Sequence, residues 1–292
     1  MNSKTYDVIR AISGELYYKA LTKIPPDTLS AISKAINDET FPTARQILAL
    51  IKKNIEIAEN KNRIVCQDTG TPVFFVKISN LEISVPMLED SIRMGVRDVT
   101  QKFNLRPNMV HPISRVNSGD NTGYRSPEVI TEFLSDTQKY IEITALPKGS
   151  GSENMGTVKM LSPSDGLIGV KKFVLEWIAE IGGKGCPPYV VGIGLGGTLD
   201  QAARFSKIAI FRPLNERNQD PDIADLESEL LMDINKLGIG PMGLGGDVTA
   251  IGVNIEYGFT HISSLPVAIN IQCWRNERAT ALIDENLKVH YR

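Results

Sequence analysis

The chain has 292 residues, with 32 Lys and Arg against 34 Asp and Glu, three His, three Cys and 42% hydrophobic residues. That length and apolar content can bury a substantial core, which excludes a disordered chain, and a net charge of -2 with both signs interspersed removes the basic footprint of sequence-independent nucleic-acid binding. The charged segment Met1–Asp7 is unlike a signal peptide, no apolar run reaches the ~18 residues of a membrane span, and three widely spaced cysteines form no disulfide framework, so a soluble, cytoplasmic protein is expected.

Up to about residue 60 the chain reads as helices. Ile9, Ile12 and Leu16 step by three and four, as do Leu29, Ile32 and Ile36 after Pro25-Pro26-Asp27, where Pro26 or Asp27 suits a first helical turn. Ile47, Ile51 and Ile55 mark a third helix, so residues 1–60 are expected to form a helical layer. The pattern then changes. Asp68-Thr69-Gly70-Thr71-Pro72 is a turn-forming cluster leading into Val73–Ile78, a β-rich run, so Cys66 stands just ahead of a strand. Leu88, Ile92, Val96, Val99 and Phe103 predict a helix ending near Arg106-Pro107, because a residue before proline is pushed out of the α region.

From His111 to Arg125 the chain is rich in Pro, Ser, Asn and Gly without apolar periodicity, a loop long enough to suggest function. Ile141, Ile143 and Ala145 alternate as in a strand, and the polar loop Gly149–Asn154 follows. Ser164-Asp165 can cap a helix with Val170, Phe173, Val174, Trp177, Ile178 and Ile181 on its apolar face, stopped by Gly182-Gly183. Cys186 comes directly after, in Gly185-Cys186-Pro187-Pro188. Tyr189–Ile193 reads as a buried strand, Thr198–Phe211 and Ile223–Leu237 as helices, and Val248–Glu256 and Leu265–Gln272 as strands, with Cys273 ending the second. The expected fold is α/β in the mixed α+β sense: a mixed sheet flanked by helices with the N-terminal helical layer, in a single domain over 1–292, since no repeat or linker marks a boundary.

All three cysteines lie at element ends beside turn residues. Three ordinary buried thiols remain the bland explanation, but loop-borne thiols are also how ligands are presented by a scaffold. Two metal centres fit. A structural zinc site would need a fourth ligand, which His261 could supply as a Cys3His set, although the close ligand pairs usual for such sites are missing. A [4Fe–4S] cluster on three cysteines would leave one iron open as a Lewis acid. Gly192-Ile193-Gly194-Leu195-Gly196-Gly197, between a strand and a helix, resembles a dinucleotide fingerprint, but its spacing is off by one residue and close helix–sheet packing explains the same glycines.

The words around the cysteines are more specific. Cys66-Gln67-Asp68-Thr69-Gly70, Asn104-Leu105-Arg106-Pro107, Lys148-Gly149-Ser150-Gly151-Ser152-Glu153-Asn154, Cys186-Pro187-Pro188 and Cys273-Trp274, in that order, resemble the class I iron–sulfur fumarate hydratases. The resemblance is closest to the alpha subunit of the two-subunit form, equivalent to the N-terminal domain of the single-chain form. It runs from about residue 10 to about residue 285. The related L-tartrate dehydratase alpha subunit shares the first and fourth words, and the Gly-Ser-Glu-Asn and Leu-Arg-Pro surroundings favour the fumarate enzyme.

The resemblance implies that Cys66, Cys186 and Cys273 hold a [4Fe–4S] cluster, that Gln67, Arg106 and Gly149 bind the substrate dicarboxylate, and that Asp68 and His261 take part in catalysis. Asp68 alone could equally be a turn carboxylate, Arg106 a solvated side chain, Gly149 part of a plain connection, and His261 a surface residue. Arg suits a carboxylate clamp because its planar fork makes two parallel hydrogen bonds. The resemblance also implies a separate beta subunit, of about 200 residues as domains commonly run, which could carry the general base. The expected activity is reversible hydration of fumarate to L-malate. The alternatives are an L-tartrate dehydratase alpha subunit and a zinc-stabilised structural subunit.

Overall fold

The computed structural model describes residues 3–135 and 137–292. They fall into two compact units, one built from Met1–Pro25, Ala58–Ser150 and Glu277–Arg292, the other from Pro26–Ile57 and Gly151–Asn276. Both are mixed α/β assemblies with their own sheet and their own core. Among the described residues no helix is long and apolar enough to cross a membrane.

In the first unit, the strands β1 (Thr71–Ser79), β2 (Glu128–Leu134), β3 (Tyr140–Lys148), β8 (Ala279–Asp284) and β9 (Val289–Tyr291) form a sheet in the order β2-β1-β3-β8-β9. Only the β1–β2 pair is parallel. Alternation aligns apolar side chains into rows across it: Phe74 faces Ala145, Val76 faces Ile143 and Ile78 faces Ile141, and these pair onward with Ala279, Ala281 and Ile283. The helices α1 (Ser3–Thr22) and α4 (Val85–Lys102) cover that face with Ile9, Leu16, Leu88, Ile92 and Val96, all fully buried. They approach closely because Gly14 meets Gly95: a Cβ on Gly95 would lie 2.3 Å from the carbonyl oxygen of Arg10.

The second unit has a four-stranded sheet in the order β4-β7-β5-β6, from β4 (Thr157–Leu161), β5 (Tyr189–Gly196), β6 (Ala250–Gly258) and β7 (Leu265–Gln272). Here β5 and β6 are parallel and β7 runs against both β4 and β5. The helices α6 (Gly166–Ile181) and α8 (Pro221–Asn235) pack Val174, Ile178, Leu230 and Ile234 onto Val191, Ile193, Ile255 and Ile269. The opposite face receives α7 (Leu199–Ala209), capped by Thr198 and Gln201. Gly192 and Gly194 point at it, and a Cβ on Gly194 would sit 1.9 Å from the Ala202 carbonyl oxygen. The glycines of this stretch therefore serve helix–sheet packing. The N-terminal helices divide: α1 belongs to the first unit, α2 (Pro26–Asp38) and α3 (Pro42–Asn60) up to Ile57 to the second.

Two carboxylates are buried in the second unit. Glu39 accepts N–H bonds from Phe41, Asp247 and Val248, and Glu227 accepts the Ile255 N–H at 2.8 Å and pairs with Arg212. Each is a carboxylate surrounded by donors, the condition under which a buried charge is tolerated.

Candidate active site and the thiol positions

In the first unit the segment from Cys66 to Gly70 joins α3 to β1, and its turn is tightly specified. Gly70 has φ +68°, and a Cβ there would lie 2.5 Å from the carbonyl carbon of Pro147, so both conformation and space demand glycine. This close approach brings the turn against the end of β3, where Lys148 and Gly149 open the polar loop.

Asp68 lies between the two. One of its carboxylate oxygens accepts the Gly70 N–H at 2.9 Å and the Asn108 side-chain N–H at 3.3 Å; the other accepts the Ser150 N–H at 3.0 Å. These three donors help to fix a half-buried carboxylate. Thr69 anchors the turn from below. It donates its hydroxyl to the Arg106 carbonyl at 2.7 Å, receives Asn108 Nδ2 at 2.6 Å, and its own carbonyl accepts the buried Tyr17 hydroxyl at 2.8 Å. Asn121, fully buried, donates to the Arg106 carbonyl at 3.1 Å and accepts the Asn108 N–H at 2.7 Å. Asp68, the Arg106 backbone and the start of the glycine loop are therefore one hydrogen-bonded assembly. Gln67 and the Arg106 side chain are exposed beside it, and Gly149 is buried.

Thr69, Asn108, Asn121 and Ser150 are the support that sequence reasoning missed. Asn108 follows directly on Asn104-Leu105-Arg106-Pro107, but its partner lies forty residues earlier in the chain, and no local pattern reveals such a pairing.

In the second unit Cys186 occupies a left-handed backbone position, φ 60°, ahead of a cis Pro187–Pro188 bond. Its carbonyl accepts the Trp274 N–H at 3.2 Å, so the turns carrying Cys186 and Cys273 are joined at one end of the sheet, where Val190 pairs with Gln272. Tyr189 braces the Cys186 turn: its hydroxyl donates to the Gly182 carbonyl at 2.5 Å and receives the Gly185 N–H at 3.2 Å. Burial pushes this phenol up to about 12, and Cys186 adds to the shift against the opposing Gly185 hydrogen bond.

His261 is not brought to these cysteines. It lies in the connection from β6 to β7, and β7 must run its full eight residues before Cys273, on the order of 25 Å at ~3.3 Å per residue. It is exposed, and its Nδ1 accepts the Ser263 N–H at 3.1 Å. A single ion bound jointly by His261 and Cys273, as in the Cys3His alternative, is excluded by that separation. The sequence reading overlooked it because residues twelve apart look close until an extended strand lies between them.

None of the three cysteines is in a disulfide, and Cys66 and Cys186 keep accessible surface. Among the described residues, no three His, Cys, Asp or Glu side chains gather around the position of a single ion. An iron–sulfur cluster asks for something different, one thiolate per iron, and three cysteines presented at element ends outside any disulfide are donors of the right chemistry for it.

A family model described as Fumarate hydratase (Fumerase) matches residues 11–282. The chain belongs to this family. Among its relatives is a Methanocaldococcus jannaschii protein provisionally named L(+)-tartrate dehydratase subunit alpha, 48% identical over 277 residues, covering 94% of this chain and 97% of that one. The L(+)-tartrate dehydratase subunit alpha of Escherichia coli K12 is 36% identical over 266 residues, 91% of this chain and 88% of that protein, and that of Shigella boydii matches to the same extent. The family match takes in Asp68, Arg106, the glycine loop and all three cysteines.

Proposed function

We propose that this chain is the alpha subunit of a two-subunit hydro-lyase that reversibly hydrates fumarate to L-malate, with a [4Fe–4S] cluster held by Cys66, Cys186 and Cys273. The observation that carries the reading is the Asp68 carboxylate, held by the N–H groups of Gly70 and Ser150 between the Cys66 turn and the glycine loop, in a chain that belongs to the fumarate hydratase family. Relatives named as alpha subunits and matched over most of their length support a second, beta subunit.

Hydration needs a proton removed from water and another delivered to carbon, while charge develops on a carboxylate beside the reacting bond. When bound, the cluster supplies a Lewis-acid iron for the substrate's oxygen atoms. The remaining work falls to protein groups. Asp68 takes the proton of the incoming water at a carboxylate oxygen, and returns it to the departing hydroxide in the reverse direction. Its fixed hydrogen bonds keep it oriented, so no reorganisation is needed at the moment of transfer. The exposed Arg106 guanidinium clamps a substrate carboxylate through two parallel hydrogen bonds, Gln67 adds one, and the Gly149 loop contributes backbone N–H groups. His261 stands a strand's length from Cys273 within its unit, and the second subunit supplies the remaining general acid–base group. Three cysteines with no disulfide among them fit a reducing cytoplasm.

A second substrate reading, L-tartrate, is favoured by the names of the relatives. The test is anaerobic purification with the beta subunit, followed by assays on fumarate, L-malate and L-tartrate. The expected preparation is brown, with broad visible absorbance bleached by air and lost in Cys273→Ser. Colourless, active protein would sink the cluster, and turnover of L-tartrate alone would replace the substrate.

A further inference from the structure

We propose that the connection between α4 and β2, residues 103–127, is the surface on which the second subunit docks, the occupant presenting an apolar pocket with an acidic rim. The inference rests on the two-subunit reading above and adds where the partner sits.

Three large apolar side chains in this connection stand out in water: Ile113 is 87% exposed, Val116 68% and Tyr124 91%. Isolated exposed apolar residues are ordinary, but these are carried by an ordered segment. His111 and Val116 are joined by a backbone bond of 2.9 Å, Val110 bridges Asn117, Gly123 bridges Ser126, and the His111 Nδ1 accepts the Ile113 and Ser114 N–H groups. Asn121 ties the base of the loop to Asn108 and Arg106. The backbone is therefore pre-organised to hold apolar groups outward, and a surface already ordered loses less entropy on binding.

The charge around them is one-sided. The only acid between residues 103 and 127 is Asp120, and it is taken up by the Thr122 hydroxyl and N–H and by Arg97 at 3.9 Å. Arg115 and Arg125 are exposed, the latter with its guanidinium over the Tyr124 ring at 5.3 Å from the centroid. An apolar patch with a cationic rim calls for an acidic rim opposite. A second copy of this chain is disfavoured, since a two-fold interface would set the same arginine-bearing patch against itself. The same connection carries Asn108, hydrogen-bonded to Asp68, so a subunit seated here arrives at the edge of the candidate site.

The experiment uses the full chain and its co-produced beta subunit, with affinity measured by titration and self-association by sedimentation. Ile113→Asp and Tyr124→Ala are expected to weaken the complex by roughly tenfold or more, as central interface residues do, with unchanged circular dichroism. Arg115→Glu should weaken it most at low salt. Ile168→Asp, on the exposed start of α6, is the control and should bind as wild type. If wild type binds the beta subunit and the three variants bind it equally well, the surface is wrong and the two-subunit reading stands. If the variants instead abolish self-association, the occupant is a second copy and the proposal falls. If wild type binds no beta subunit and is fully active alone, the two-subunit reading fails and takes this one with it.

Discussion

Asp68→Asn separates the chemical role of this carboxylate from its structural one. The wild-type side chain offers one oxygen to Gly70 and Asn108 and the other to Ser150. An amide keeps one oxygen, so whichever way it turns, a backbone N–H meets an NH2 group. One donor left unsatisfied costs about 1–3 kcal/mol. At about 2–4 °C per kcal/mol for a chain of this size, the thermal midpoint should fall by ~2–12 °C. The protein should still fold, because Thr69 keeps its bonds to Arg106, Asn108 and Tyr17. Loss of a positioned proton-transfer group should lower turnover of the assembled enzyme by about 10²–10⁴-fold, with a smaller change in KM because Arg106 and Gln67 remain. Circular dichroism melts and steady-state kinetics on the two-subunit complex measure both effects. A folded Asp68→Asn complex with wild-type turnover would refute the catalytic assignment; an unchanged melting point with turnover lost would refute the structural account of the turn.

Gly70→Ala should destabilise the first unit by more than the ~1 kcal/mol of an ordinary Gly→Ala strain, since the new Cβ would press on Pro147; a melting temperature equal to wild type would contradict it. Glu227→Gln should cost about 1.5–3 kcal/mol in urea titration by weakening the charged hydrogen bonds that Glu227 makes to Arg212, which keeps Glu256 at 3.4 Å as its other acidic partner; stability equal to wild type would contradict it. At high pH the phenols of Tyr189, raised chiefly by burial, and Tyr291, raised by burial and then by Glu15, both sit near 12. The folded state holds these protons more tightly than the unfolded chain, so the stability they contribute is complete below pH 10 and is lost as pH rises toward 12. Tyr291→Phe should flatten the fall of melting temperature in that window, modestly because Tyr291 is 44% exposed.

The elements legible in the sequence were those with a wide apolar face. The Val170–Ile181 periodicity became α6, Tyr189–Ile193 became the start of β5, and Leu265–Gln272 is β7 residue for residue. What escaped were the edges and the chain end. β2 and β4 are edge strands, Glu128–Leu134 with a mostly unburied pattern and Thr157–Leu161 with no buried residue at all, so the alternation that betrays a strand is missing. The buried carboxylates Glu39 and Glu227 escaped for the opposite reason. An isolated acid in a polar stretch reads as solvated, and only the fold gathers the donors that make burial tolerable. In the candidate site, the cysteines and Asp68 stood out because they sit in specific words, while Asn108 and Asn121 are ordinary loop asparagines until their partners are known.

The same contrast explains how the site is built. Backbone N–H groups orient a carboxylate only if the chain segments bearing them are themselves immobile. Gly70 and Ser150 meet that condition differently. Gly70 is fixed by its contact with Pro147, where no other residue fits, and Ser150 follows β3, a strand whose apolar rows are locked under α1 and α4. The reactive group is thus positioned by the core of the unit through two backbone donors. A core change such as Ile143→Ala, far from any substrate, should therefore lower turnover more than it raises KM; equal effects on both would mean that the core only keeps the unit folded.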